Sequence, residues 1–180
     1  MSRIEAAHPA QTQGRVQDLL AGVHKSLGMT PNLYRVTAHS PAALEAMLGI
    51  TGALARGRLG ARIRESIALA VAEVDQCDYC LSAHAVLGNG ARLSDDDIAS
   101  AREARASDPR TAAILRFAQL VTLKRGQVAE TDLAELRRSG VVDGEILEIV
   151  AHVALNVFTN YVNLVAETEI DFPVLRHRPR

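Results

Sequence analysis

The chain has 180 residues, enough to bury one core without disulfide staples. Hydrophobic residues make up 48% of it but aromatics only 3%, and Trp is absent. Ala, Leu and Val must therefore fill the interior, which suits closely packed helices better than a β-sandwich. Lys and Arg (20) nearly balance Asp and Glu (21), and the net charge of -1 argues against a nucleic-acid surface.

In chain order the apolar spacing is helical almost throughout. Residues 16–27 carry Val16, Leu19, Leu20, Val23 and Leu27 on one face, and Gly28 closes that helix. Thr30-Pro31 opens a short piece through Tyr34 and Val36. Ser40-Pro41 supplies an N-cap and a first-turn proline for a helix through Leu44, Met47, Leu48 and Leu54. Residues 62–74 form the most apolar helix, expected to be central. After Asp75-Gln76 another runs over 77–87 and ends at Gly88-Asn89-Gly90. Ser94 with Asp97 resembles a capping box before a short helix. Asp108-Pro109 opens a helix reaching toward Gly126, Thr131 begins one ending at Gly140, and the last covers 143–169. No alternating run makes a convincing strand. The expectation is an all-α, single-domain bundle of about eight helices.

The apolar runs 67–72 and 150–155 are too short to cross a bilayer, and no apolar stretch follows a basic start in the first twenty residues. A soluble, cytoplasmic protein is expected, with neither nucleic acid nor membrane as partner. The basic tail of Arg176, His177, Arg178 and Arg180 reads as a solvated end.

In a reducing compartment two cysteines three apart need an explanation other than a structural disulfide. At the start of a helix Cys77, Cys80 and His84 share one face, by the i, i+3, i+7 rule. Backbone N–H groups and the helix dipole there favour a thiolate, the reactive form of cysteine. A partner three residues away can then resolve a sulfenic acid without large backbone movement. Cys80, one turn from His84, is read as the attacking thiol and Cys77 as its resolver. Two bland readings stand beside this one: a pair of inert core cysteines, or a partial zinc site with His84 as third ligand. No metal is expected, because no second CxxC exists.

Glu65 projects from an apolar face near the front of the most apolar helix, where an unpaired carboxyl has a raised pKa and suits proton transfer. Position alone favours instead a surface ion pair with Arg62 or Arg58, or a first-turn acid. Glu73 is a rival carboxylate near a helix C-terminus. On the last helix His152, Asn156, Asn160 and Asn163 form a polar stripe among Val, Ala, Leu and Phe. Buried Asn needs partners, so the stripe either lines a pocket with the thiols or forms a hydrogen-bond seam between helices or subunits.

Glu65, then Cys77-x-Tyr79-Cys80-x-x-x-His84 and Gly88, resembles the core motif of alkylhydroperoxidase AhpD-like proteins of the carboxymuconolactone decarboxylase family. The flanking Leu27-Gly-Met-Thr-Pro-Asn-Leu33, Asn156-x-x-x-Asn160-Tyr-x-Asn163 and Glu169-Ile-Asp-Phe-Pro173 resemble its peroxidase-related branch. The resemblance implies an AhpD-like domain over 16–172 with core motif 58–91, a 1–15 extension and a 173–180 tail. It further implies a homotrimer or homohexamer that reduces organic hydroperoxides through a redox-active disulfide. In that pattern Cys80 is peroxidatic, Cys77 resolves it, and Glu65 and His84 relay protons. No bound cofactor is implied; electrons come from an external dithiol, in known members a lipoyl-bearing protein. One departure is Tyr79, where the best-known members carry histidine; Tyr79 can donate a hydrogen bond or pack but is no base near neutral pH. Rival readings are a lyase or decarboxylase using Glu65 and His84, and a redox-responsive oligomeric binding protein.

Overall fold

A computed structural model describes residues 2–179, and among these the chain forms nine α-helices and one 3-10 turn, with no strand. After the turn Pro9–Gln11 come α1 (Gly14–Leu27), α2 (Asn32–Thr37), α3 (Pro41–Leu54), α4 (Ala61–Asp75) and α5 (Asp78–Gly90). They are followed by α6 (Asp95–Arg102), α7 (Pro109–Leu123), α8 (Glu130–Arg138) and α9 (Asp143–Ala166). The count exceeds the expected eight by one, the short piece after Thr30-Pro31 forming a helix of its own, α2.

The caps act where the sequence places them. Ser40 accepts from the Ala43 N–H, Asp108 from Thr111, and Ser94 and Asp97 close a reciprocal capping box. Gly28 ends α1 in the left-handed region at φ 74°. Two ends differ from expectation. α5 runs through Gly88 to Gly90, because Gly88 is a packing glycine: a Cβ there would sit 3.0 Å from Leu93 Cδ1. α9 stops at Ala166, three residues early, with Glu167 left-handed at φ 47°.

α4 is the central helix: every residue from Ser66 to Ala72 is buried, and α5, α6, α7 and α9 pack around it. By length and composition α9 could cross a membrane, but Ile146, Ile149 and Val153 bury its inner face in the core. A smaller cluster of Leu20, Ala38 and Leu44, with Tyr34 and Leu48 against it, unites α1, α2 and α3. The seam between this cluster and the main core holds the candidate site.

The two ends of the chain are tied down. Arg3 and Ile4 donate their N–H groups to the Ala166 carbonyl, and α1 begins at Gly14, inside the expected extension. The basic tail lies against the start of α5, while the Arg176 and Arg178 side chains stay exposed to solvent. Asp78 accepts from the His177 backbone and ring at 2.8 Å each and from Arg176 at 3.0 Å, while Arg178 donates its N–H to Glu73 at 2.7 Å. The acids at 73, 78 and 103 make the tail a strap, and none of them is its sequence neighbour. Arg180 lies outside the described residues.

Candidate active site

The break between α4 and α5 positions the thiols. Gln76 turns left-handed at φ 57°, which makes Cys77 the N-cap of α5, with the Cys80 N–H donating to its sulfur at 3.3 Å. The two sulfurs stand 2.9 Å apart, both free, in a shared thiol hydrogen bond; a disulfide needs about 2.0 Å. Cys77 is 1% exposed and Cys80 2%.

The backbone N–H at the start of α5 is accepted by the Cys77 sulfur, not by that of Cys80. Burial pushes the Cys80 thiol well above its ordinary value, and the Cys77 sulfur adds to that. The Asn163 side-chain amide, donating to Cys80 Sγ at 3.2 Å, pulls the other way.

Glu65 and His84 meet across helices: Glu65 Oε2 lies 2.7 Å from His84 Nδ1, with both side chains about four-fifths buried. Neither rival claim on Glu65 holds. Arg62 pairs with Asp97, and Glu65 itself pairs with His84 rather than with Arg58. Glu73 is committed elsewhere, 2.7 Å from Arg102 and bonded to the tail. Among the described residues no three His, Cys, Asp or Glu side chains converge as a ligand set for a metal ion.

A cavity of about 340 Å³ opens on these groups. Cys80, Glu65, His84 and Tyr79 line it, with His152 and Asn156 from α9 and mainly apolar walls from Leu33, Met47, Leu54, Ala68 and Phe172. Cys77 is not on the lining. A larger cavity of about 490 Å³, around Arg62, Asp97 and Asp108, contains none of the thiol machinery.

The polar stripe divides by depth. His152 and Asn156 reach the cavity; Asn160, fully buried, donates to Asp75 at 2.7 Å; Asn163 holds Cys80. Burial raises the Asp75 carboxyl and Asn160 opposes this.

Tyr79 both packs and bonds. Its hydroxyl donates to Asp171 at 2.8 Å and accepts from the Leu33 N–H at 3.0 Å, and its ring meets Phe172 edge-on with centroids 5.8 Å apart. Burial pushes the phenol far above its ordinary value, so it stays neutral. Asp171, for which the sequence suggested no role, also accepts the Asn32 N–H at 2.8 Å. Its signal was its place in the downstream motif, which folds directly onto the upstream one.

Comparison with known proteins finds the same fold. The carboxymuconolactone decarboxylase family profile matches residues 41–123, a span containing Glu65, both cysteines and His84. The structure of an AhpD-core, peroxidase-related protein from Ralstonia eutropha is 26% identical, with a TM-score of 0.84 over 94% of this chain and 92% of that one. Over residues 41–123 the chain carries a carboxymuconolactone decarboxylase-family segment, set in an AhpD-like fold. The AhpD-like fold recurs in a peroxidase-related protein from a Silicibacter species, at 23% identity and TM-score 0.79 over 92% of this chain and 91% of that one. It recurs too in the debrominase Bmp8, solved as a cysteine-to-alanine variant with tribromopyrrole, at 19% identity and TM-score 0.79 over 93% and 91%. No curated protein matches the sequence. The AhpD-like neighbours thus include uncharacterised peroxidase-related proteins and a debrominase.

Proposed function

We propose that the protein is a thiol-dependent peroxidase that reduces organic hydroperoxides through Cys80 and Cys77. The observation that carries this reading is that Cys80 lines the apolar cavity while Cys77 stands 2.9 Å behind it. The Cys80 thiolate attacks the terminal peroxide oxygen, the O–O bond breaks, and Cys80 becomes a sulfenic acid. His84, held by Glu65, takes the thiol proton and returns it to the departing alkoxide, so an alcohol leaves. The Cys77 thiol then condenses with the sulfenic acid, forming the disulfide and releasing water. An external dithiol, either a small molecule or a lipoyl-bearing protein, restores both thiols by exchange in a reducing cytoplasm. Assembly as a homotrimer or homohexamer is supported by apolar residues left exposed on α9, among them Leu147, Tyr161 and Val165.

The test is stopped-flow reaction of the reduced protein with cumene hydroperoxide, followed by mass spectrometry. Loss of two thiols with a Cys77–Cys80 disulfide supports the mechanism, and Cys80→Ser should abolish it. Thiols unchanged at millimolar peroxide would sink it. Likeness to a debrominase favours one second reading, in which the dithiol removes bromine from an aryl ring: the ring gains hydrogen, bromide leaves, and the pair is oxidised to a disulfide. Release of bromide from a brominated pyrrole, with no peroxide consumption, would select it. Turnover of a small carboxylated substrate that survives Cys80→Ser would instead point to a lyase built on Glu65 and His84.

A further inference from the structure

His152 stands out among the polar groups of the cavity wall. It is 5% exposed, it lines the cavity that Cys80 opens on, and its Nε2 is buried without a hydrogen-bond partner. An unpaired buried polar atom is costly and calls for a partner. The neighbouring polar groups on this wall are committed: Thr51 donates to the Met47 carbonyl, Thr159 to that of Asn156, and the Asn156 amide to that of His152. Burial, aided by Arg64 and opposed by Glu148 and Glu65, holds the imidazole below its ordinary value, so near neutral pH it is an uncharged ring. An uncharged Nε2 can donate or accept a single hydrogen bond, depending on the tautomer.

From this we infer that His152 is a specificity-determining residue, whose Nε2 holds a hydrogen-bonding group on the organic part of the substrate. The substrate class that follows is a compact, largely apolar hydroperoxide bearing one hydroxyl, carbonyl or ring N–H apart from the peroxide. Cavity size agrees: about 340 Å³ is near the lower end of ligand pockets, roughly 300–1,000 Å³. Leu33, Met47, Leu54 and Leu155 leave the bulk of such a molecule in apolar contact. The two ends of the substrate are then read by different helices. Cys80 and His84 of α5, with Glu65 of α4, face the peroxide, and His152 of α9 reads the distant polar group. The inference rests on the peroxidase reading for its reaction but not for its binding contact.

The experiment separates the two. Cumyl alcohol and its ring-hydroxymethyl derivatives, meta and para, cannot oxidise thiols and report binding alone. Calorimetric titration of the reduced full-length protein should show one hydroxymethyl isomer binding about tenfold or more tighter than the parent. Nitrogen NMR should show the His152 Nε2 resonance moving with that isomer. His152→Phe should remove the preference, and His152→Gln, which keeps a hydrogen-bonding end, should restore most of it. With the matching hydroperoxides the same preference should appear in kcat/KM. Equal binding of parent and derivatives by the wild-type protein, or an unmoved Nε2 resonance, would overturn the assignment. So would a parallel loss of both hydroperoxides in His152→Phe, which would place His152 at the reacting oxygens. Discriminating binding without peroxide turnover leaves the contact standing and rejects only the peroxidase reading.

Discussion

At Cys80 two influences oppose each other on a single sulfur. Burial and the adjacent Cys77 hold the thiol protonated, and one amide hydrogen bond from Asn163 favours the thiolate. Because the pKa lies above its ordinary value of 9.0, the thiolate fraction at neutral pH is small and rises as pH rises. The rate with a hydroperoxide should therefore climb about tenfold per pH unit through the neutral range, with no plateau before about pH 9. Asn163→Leu removes the contact that favours the charged form, and hydrogen bonds to charged groups are worth about 1.5–3 kcal/mol. At neutral pH that variant should react about tenfold or more slowly, while its cysteines still titrate as two free thiols. Stopped-flow pH profiles of both proteins check this. A profile already flat at neutral pH would overturn this account of Cys80.

Among the elements, Tyr79 clamps three pieces of chain: α5, the start of α2 through the Leu33 N–H, and the segment after α9 through Asp171. Tyr79→Phe keeps the ring against Phe172 but strands a backbone donor and a carboxylate oxygen, so it should cost about 1–3 kcal/mol in urea unfolding. A loss below about 0.5 kcal/mol would mean that water replaces the hydroxyl. This clamp also marks where the sequence stops being legible. Helices and caps were readable because their causes are local: apolar spacing at 3.6 residues, Ser94 answered by Asp97, proline after Ser40 and Asp108. The Cys77, Cys80 and His84 grouping was readable for the same reason, being one face of one helix. The Glu65–His84 contact joins two helices 19 residues apart, and only the family resemblance suggested it. The Tyr79–Asp171 bond spans 92 residues, and no local pattern announces it. The end of α5 was misplaced because glycine usually signals a turn, whereas Gly88 makes room for Leu93.

For the whole molecule, the C-terminal strap sets how closely the thiol helix is covered. Charge runs at chain ends are usually free in solvent, but the acidic partners of this one lie far earlier in the chain, at 73, 78 and 103. Asp78, between the two cysteines, is the centre of the contact. Burial pushes its carboxyl up, but the His177 backbone and ring and the Arg176 guanidinium outweigh this and hold it below its ordinary 3.8. A carboxylate depressed in the folded state contributes stability above its unfolded pKa, and that contribution is lost as pH falls through the folded value. The strap should thus stay docked at neutral pH and loosen below about pH 4, in step with protonation of Asp78. Amide protection factors for Leu175, His177 and Arg178 should fall there while those of α4 hold. Asp78→Asn should lower them already at neutral pH and flatten the acid dependence. The same variant should speed alkylation of Cys77 and Cys80, because the strap packs over the start of their helix. Unchanged alkylation with a freed strap would mean that the thiols are reached only through the cavity, from the Cys80 side.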